Sequence, residues 1–220
     1  MTRRERRRRL PGMRIDVWSD VVCPFCWLGK ARLDKALAAF DRGDVEVVFH
    51  SFELDPRVPK ELDVPVDEAL TKKLGVSRAQ LEQMHARLRA QGLAEGIEYH
   101  FERARTANTF DAHQLTHLAR EHGKQGAMVD RLFAANFRDG IRVADRAALV
   151  RLAAEVGLDE DEARVALEEQ RFADAVRADE TKARTLGVTG VPFFLFDEKL
   201  AVSGAQSLDI FRAALDRAAG

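Results

Sequence analysis

Residues 13–29 read MRIDVWSDVVCPFCWLG, and this stretch decides the fold. The apolar run over 13–18 predicts a buried strand, and apolar residues at helical spacing follow over 27–40. Between the two lie Cys23 and Cys26, the two cysteines of the 220-residue chain. A strand that runs into a helix through a C-x-x-C pair is typical of a thiol–disulfide site.

The position of Cys23 predicts that it is the reactive thiol of the pair. It falls at the N-terminus of the predicted helix, where unpaired backbone N–H groups and the helix dipole stabilise a thiolate. The thiolate is the attacking species in disulfide exchange. Pro24 suits the first helical turn, because a proline lacks the N–H that would be unpaired there.

Two other uses of the cysteine pair are less favoured. A structural disulfide between residues two apart would close a very short loop and constrain little of the unfolded chain. A zinc site needs two further ligands, and the sequence contains no second C-x-x-C. His113 and His117 form an i,i+4 pair that could supply them, although without zinc-finger spacing. We therefore expect a redox pair and no metal.

Composition and charge exclude several classes of protein. The chain is 46% hydrophobic and 32% charged, which is ordinary for one large globular domain or a domain with a sizeable insertion. The sequence lacks an apolar run long enough for a membrane span of about 18 residues. Residues 1–12 carry six arginines and one glutamate, a net +5, so the whole chain's −1 leaves −6 on the remainder. An acidic body disfavours a nucleic-acid partner.

Residues 1–12 are predicted to be a disordered basic leader, or a segment upstream of a true start at Met13. The sharper alternative, a basic arm that binds nucleic acid, is less favoured because the rest of the chain is not basic. No apolar segment follows the arginines, so the leader does not resemble an export signal. Two thiols without such a signal are typical of a cytoplasmic protein, in which a cysteine pair is more often catalytic or redox-sensing than structural.

The remaining periodicity predicts the order β-α-β, a long helical block, then β-β-α. A second strand is expected over 45–54, a loop over 92–108, two strands over 193–196 and 200–203, and a last helix after Ser207. Helices are predicted over 66–74, 77–91, 109–122, 125–138, 146–156, 159–169 and 171–186.

This order predicts an α/β protein with a thioredoxin-like fold split by an all-helical insertion domain. Residues 13–58 and 187–220 would form the thioredoxin-like domain, and 59–186 the helical insertion.

A second informative segment, GVTGVPF over 187–193, precedes the third strand. A proline at the start of a strand, after a loop that contains glycine, is a candidate cis peptide bond. Because Pro192 lacks an N–H, the strand edge beside it would stay free. A substrate backbone could then pair with Val191 as a short added strand.

Five separated segments, in order, resemble one family. Arg14 to Gly29 looks like the DsbA-like thioredoxin superfamily, specifically its cytoplasmic FrnE-like branch. The other matching segments are FELDP at 52–56, ANT at 107–109 with AH at 112–113, GVTGVPFF at 187–194 and VSGAQ at 202–206.

The resemblance implies a dithiol–disulfide oxidoreductase that needs no cofactor. Cys23 would attack, Cys26 would resolve the mixed disulfide, and Pro192 would be the cis-proline. The partner would be a thiol- or disulfide-bearing protein or small molecule, with glutathione as one thiol partner, and the protein a monomer or homodimer. The residues expected to bind substrate are Pro24, Phe25, Val191, Pro192, Asn108 and His113.

Phe25 departs from the histidine of the periplasmic DsbA motif. That histidine helps to stabilise the thiolate, so Cys23 is expected to be less acidic here and the protein a milder oxidant, a reductase or an isomerase. A related branch contains 2-hydroxychromene-2-carboxylate isomerases and kappa-class glutathione transferases, which carry serine in place of Cys23. A glutathione-dependent isomerase or transferase is therefore an alternative function.

Asn108 and His113 have two interpretations. The resemblance places them in the helical insertion, facing the active-site cleft, where they would bind substrate or polarise a thiol. The alternative is a capping asparagine and a buried, hydrogen-bonded histidine. The length of the helical block also leaves a third function open, a chaperone-like binding module whose thiols only sense the redox state.

Overall fold

A four-stranded sheet forms the centre of the computed structural model, which describes residues 12–41 and 44–220. The predicted basic leader lies outside the described residues, apart from Gly12. The strand order is β2-β1-β3-β4, and β1 pairs in parallel with β2 and antiparallel with β3. The strands are β1 (Met13–Ser19), β2 (Val45–Ser51), β3 (Phe193–Phe196) and β4 (Leu200–Ser203).

The described residues contain nine α-helices, seven of which lie between β2 and β3 in the chain. They are α1 (Pro24–Ala38), α2 (Val66–Leu74), α3 (Arg78–Glu95), α4 (Phe110–Glu121), α5 (Gln125–Ala134), α6 (Arg146–Glu155), α7 (Glu160–Glu168), α8 (Ala173–Thr185) and α9 (Leu208–Ala218). A 3₁₀ turn spans Phe101–Arg103, and a π-helical turn spans Ala135–Asp139. The predicted order β-α-β, helices, β-β-α is confirmed, and the division at 58/59 and 186/187 stays a prediction.

Local sequence signals account for several helix starts. The Ser77 hydroxyl accepts the Gln80 N–H at 3.2 Å, and the Gln80 side chain accepts the Ser77 N–H at 2.9 Å. This reciprocal capping box satisfies two donors that the first turn of α3 would leave unpaired. Asp145 caps α6 with its carboxylate alone, which accepts the N–H of Ala147 at 2.8 Å.

The predicted second strand was too long. β2 ends at Ser51 rather than at residue 54, because its partner β1 ends at Ser19, which pairs with Ser51. The N–H of Leu54 no longer has a strand to bond and instead donates to the Asp20 carboxylate at 2.8 Å. The end of the ladder therefore brings the chain after β2 against the residue that follows β1.

The predicted loop over 92–108 was wrong at its start, since α3 continues to Glu95. Gly92 lies inside this helix rather than ending it. A Cβ at Gly92 would lie 2.6 Å from the Tyr99 ring, so only glycine lets the ring pack directly on the helix backbone. Sequence reasoning interprets a glycine as a helix end unless this kind of close contact is known.

The end of β1 and the start of α1 lie between two clusters of buried apolar side chains. Ile15, Leu28, Phe194 and Phe211 are fully buried where the sheet meets α1 and α9. A second cluster lies among the helices of the block and includes Leu115, Met128, Leu132, Leu149 and Leu152. The β1–α1 junction, which carries the cysteines, is thus anchored by packing on both sides.

Candidate active site

Both cysteines lie at the β1–α1 junction as free thiols. Cys23 is the N-cap of α1, and its own N–H donates to the Asp20 carbonyl at 3.0 Å. The N–H of Cys26 donates to the Cys23 carbonyl at 3.0 Å. The predicted position of Cys23 at a helix N-terminus is confirmed, and Pro24 occupies the first turn of α1 as expected.

The segment before β3 forms the other side of the site. The Val191–Pro192 peptide bond is cis, as the sequence predicts. The Cys23 thiol donates to the Val191 carbonyl at an Sγ–O distance of 3.6 Å. Two segments that are far apart in the sequence therefore meet at the sulfur of Cys23.

Both thiols are buried, with Cys23 4% and Cys26 2% exposed. Burial raises the pKa of Cys26 well above its ordinary value, and its contact with the Cys23 thiol raises it further. The main-chain N–H of Asp20 donates to the Cys26 sulfur and opposes this rise. Phe25, between the cysteines, is 45% exposed and forms an apolar surface beside them. The geometry suits attack by Cys23 and a later reaction of Cys26.

Gly29, one turn into α1 after Cys26, lets the helix approach the proline loop closely. A Cβ at Gly29 would lie 3.0 Å from Pro192 Cγ and 3.0 Å from Phe194 Cζ. These contacts are too tight for a methyl group, so the helix or the loop would have to shift.

We expect Gly29→Ala to destabilise the protein by about 1–3 kcal/mol, because the added methyl overpacks the junction. Urea unfolding measures the change. The matched control is Gly126→Ala on α5, where a Cβ meets nothing within 4 Å. There alanine should stabilise by up to about 1 kcal/mol, since it favours the helix over glycine. If the two variants changed the free energy of unfolding by the same amount, the close packing at Gly29 would be contradicted.

Asn108 uses both ends of its amide within the fold. Its nitrogen donates to the Val58 carbonyl at 2.9 Å, and its oxygen accepts the Phe110 N–H at 3.1 Å. It thereby ties the segment after β2 to the start of α4. The N-cap of α4 is Thr109, so Asn108 stabilises the turn before the helix rather than capping it. A direct contact with substrate stays a prediction for this residue.

His113 lies on α4, 2% exposed, and faces the residue that follows β1. Its Nε2 is 3.5 Å from Asp20 Oδ1. Burial alone would lower the pKa of His113, but the contact with Asp20 outweighs it, and the pKa lies above its ordinary value. The carboxylates of Glu53 and Glu180 act in the same direction.

Two residues of the site were missed by sequence reasoning. Asp20 is 1% exposed and lies between the thiols and His113, although it stands only three residues before Cys23. Tyr99 donates its hydroxyl to the Pro24 carbonyl at 2.6 Å, and burial raises its pKa. The signal for Asp20 was its place in the sequence, three residues before Cys23. The signal for Tyr99 was its status as the single tyrosine of the chain.

An open cleft of about 640 Å³ borders this site. Asp20 and Val22 line it on the side of the β1–α1 junction, and α2 lines the opposite side. The walls are largely aliphatic, and the rim carries charged side chains. The lining cations are Arg57, Lys72, Lys73 and Arg105. Its volume is that of a small-molecule site.

The described part of the chain contains no set of side chains that would support the zinc alternative. Over residues 12–41 and 44–220, no group of three or more His, Cys, Asp or Glu side chains is arranged to hold a metal ion. His117 instead lies 3.1 Å from the Ser51 hydroxyl and 3.2 Å from the Asp179 carboxylate. None of the described helices is long and apolar enough to cross a bilayer.

Comparison with known proteins identifies the family. Residues 14–216 match the DSBA-like thioredoxin domain, and the chain belongs to this family. It is 32% identical over 203 residues to the Bacillus subtilis protein YwbO, covering 91% of this chain and 94% of that protein. The predicted thioredoxin-like α/β fold is thereby confirmed.

Two solved structures extend the comparison. A probable DsbA oxidoreductase from Streptomyces coelicolor is 47% identical, with a TM-score of 0.90 over 94% of this chain and 89% of that one. The cytosolic disulfide reductase DsbM from Pseudomonas aeruginosa, solved with GSH, is 19% identical, with a TM-score of 0.65 over 93% and 98%. The second likeness shows a shared fold alone. The first likeness agrees with the DSBA-like family assignment.

Proposed function

We propose that the protein is a thiol–disulfide oxidoreductase that uses the Cys23-Pro24-Phe25-Cys26 site. The observation that carries this proposal is the Cys23 thiol at the N-cap of α1, 3.6 Å from the carbonyl beside Pro192. Helix N-termini stabilise thiolates, and the thiolate is the nucleophile of disulfide exchange. Membership of the DSBA-like family supports the same chemistry.

In the proposed reaction, the Cys23 thiolate attacks one sulfur of a substrate disulfide. A Cys23–substrate disulfide forms, and the other substrate sulfur leaves as a thiolate. Cys26 then loses its proton and attacks Cys23. This second step forms the Cys23–Cys26 disulfide and releases the remaining substrate thiol. The protein is oxidised by two electrons and the substrate disulfide is reduced by two, and the reverse sequence oxidises a dithiol.

Substrate would bind beside the exposed Phe25, over the buried thiol pair. Val191 is half-buried and precedes β3, and an extended substrate segment would pair with its backbone. Phe25 and Pro24 would contact the substrate beside the sulfur. A small thiol such as glutathione would extend from the thiol pair towards the cleft of about 640 Å³, which Asp20 and Val22 line and the cysteines do not. We place the protein in the cytoplasm, as a monomer or homodimer.

Equilibration in glutathione redox buffers tests the proposal. We expect one reversible two-electron couple, detected by alkylation of the free thiols and mass spectrometry. Because Phe25 cannot stabilise the Cys23 thiolate as a histidine does, the potential should lie nearer thioredoxin's about −270 mV than DsbA's about −120 mV. A protein whose thiols stay reduced over the whole range of buffers would rule out the proposed chemistry.

A further inference from the structure

The carbonyl of Pro24, which lies between the two cysteines in the sequence, accepts a hydrogen bond from the helical block. The donor is the hydroxyl of Tyr99, at 2.6 Å. Tyr99 follows α3 and stands 75 residues further along the chain. One side chain of the helical block is therefore bonded directly to the thiol turn, residues 23–26.

The ring of Tyr99 is held from several sides and is only 4% exposed. It packs on the backbone of α3 at Gly92, where a Cβ would lie 2.6 Å from the ring. It meets Trp27 of α1 edge-on, with 5.4 Å between ring centroids, and stacks on Phe101 at 5.1 Å. A phenylalanine at residue 99 could make the same ring contacts. Packing thus explains the ring, but it does not explain the hydroxyl.

The hydroxyl of Tyr99 stays protonated beside the thiols. Burial raises its pKa, and negative charge on Cys23 or Cys26 would raise it further. The tyrosine therefore does not compete with the cysteines for ionisation. It remains a hydrogen-bond donor to the Pro24 carbonyl when Cys23 is a thiolate.

This hydrogen bond acts on the peptide group nearest to the Cys23 sulfur. The Pro24 carbonyl and the Phe25 N–H belong to one planar peptide group. Phe25 is the second residue of α1, and the N–H at this position is a donor that a helix offers to its N-cap side chain, here Cys23. A hydrogen bond to one end of a peptide group polarises the other end and strengthens its hydrogen bond by about 10–30%. Donation by Tyr99 therefore makes the Phe25 N–H a better donor to a thiolate on Cys23.

We propose that Tyr99 is a positioning residue of the thiol site, whose hydroxyl holds and polarises the Pro24–Phe25 peptide group and so stabilises the Cys23 thiolate. This inference deepens the proposed function and depends on it. Tyr99 transfers no proton and does not touch substrate in this role. The side chain of Phe25 cannot stabilise the thiolate, and the helical block supplies part of that stabilisation instead.

Alkylation of Cys23 by iodoacetamide over a range of pH tests the role of the hydroxyl. In a Cys26→Ser background Cys23 is the one remaining cysteine of the chain, so the pH profile of the rate reports its ionisation. Adding Tyr99→Phe should raise the midpoint pH by about 0.3–0.5 unit, or about two- to threefold less thiolate below the midpoint. The plateau rate at high pH should change by less than about twofold, because the thiolate is fully formed there.

The redox equilibrium provides a second measurement on the protein with both cysteines. Above the midpoint pH, Tyr99→Phe should shift the equilibrium with glutathione towards the Cys23–Cys26 disulfide by about two- to threefold. The direction follows because the reduced form loses the stabilisation of its thiolate. Wild type and variant are compared in the same buffers, so the ionisation of glutathione itself cancels.

Thr116→Val is the matched control. The Thr116 hydroxyl is also buried and donates to a helix carbonyl, that of His113, at 2.8 Å, but this bond lies within α4. Both variants should lower stability to urea, and only Tyr99→Phe should move the midpoint pH. An unchanged midpoint in Tyr99→Phe, a shift of equal size in Thr116→Val, or equal slowing of alkylation at every pH would overturn the role of Tyr99. A wild-type protein that forms no reversible disulfide would instead overturn the proposed function itself.

Discussion

Cys23→Ser should lose disulfide exchange by at least about 10³-fold, the scale expected when a nucleophile is removed. The serine hydroxyl remains at the N-cap of α1 and can still donate to Val191, so the fold should be retained. An alcohol at this position is not ionised at neutral pH and cannot replace the thiolate. Insulin reduction and glutathione exchange both measure the loss. If Cys23→Ser turned over substrate as fast as the wild type, Cys23 would not be the attacking thiol.

Cys26→Ser is the matched control and should behave differently. Attack by Cys23 should continue, but the mixed disulfide on Cys23 should persist because the resolving thiol is missing. Intact-mass spectrometry after incubation with oxidised glutathione should show one stable glutathione adduct, which a reductant removes. If Cys26→Ser carried no adduct while Cys23→Ser did, the order of attack would be reversed.

Asp179→Ala should destabilise the protein by about 3–5 kcal/mol, the cost of breaking a buried charged network on one side. The carboxylate of Asp179, on α8, bonds His50 Nδ1 at 2.6 Å and the Ser51 N–H at 2.9 Å. It also lies 3.2 Å from His117 Nε2. Truncation leaves these groups buried without their common partner. Chemical denaturation measures the loss, and Asp174→Ala, at an exposed site of the same helix, should cost less than about 1 kcal/mol.

The pH dependence of this stabilisation has a defined sign. Burial alone would raise the pKa of Asp179, but its contacts with His117 and His50 hold the pKa well below its ordinary value. The contribution is therefore fully present above the unfolded pKa of about 3.9 and is lost as pH falls through the lower folded value. The gap in the free energy of unfolding between wild type and Asp179→Asn should not narrow between pH 8 and 6 and should narrow only in acid. A gap that narrows between pH 8 and 6 would contradict this assignment.

Features that depend on neighbours in the sequence were predictable. The position of Cys23 at a helix N-terminus follows from a strand, a C-x-x-C pair and a helix in direct succession. Capping of α3 follows from Ser77 and Gln80, which lie three residues apart. The cis bond before Pro192 could be predicted because the loop and strand signals around it are adjacent in the sequence. The resemblance of this motif to a known family supported the same prediction.

Features that depend on distant residues were not predictable. His50 bonds Asp16 at 2.6 Å across two strands and Asp179 at 2.6 Å on α8, a separation of 129 residues along the chain. No periodicity or motif links these three side chains. His113 was singled out, but its facing Asp20 was not, because the contact exists only after α4 packs against the end of β1. A buried polar network is specified by tertiary packing, which a single sequence does not display.

Helix α2 gives the cleft a wall that can change independently of the thiols. None of its side chains is buried, yet residues 66, 68, 69, 70, 72 and 73 line the cleft. Substitutions at exposed positions usually alter stability by less than about 0.5 kcal/mol. Mutations at the exposed positions Glu68, Lys72 and Lys73 can therefore reshape the cleft at little cost to folding. The shape of the cleft and the chemistry of the thiol pair are therefore set by different parts of the chain.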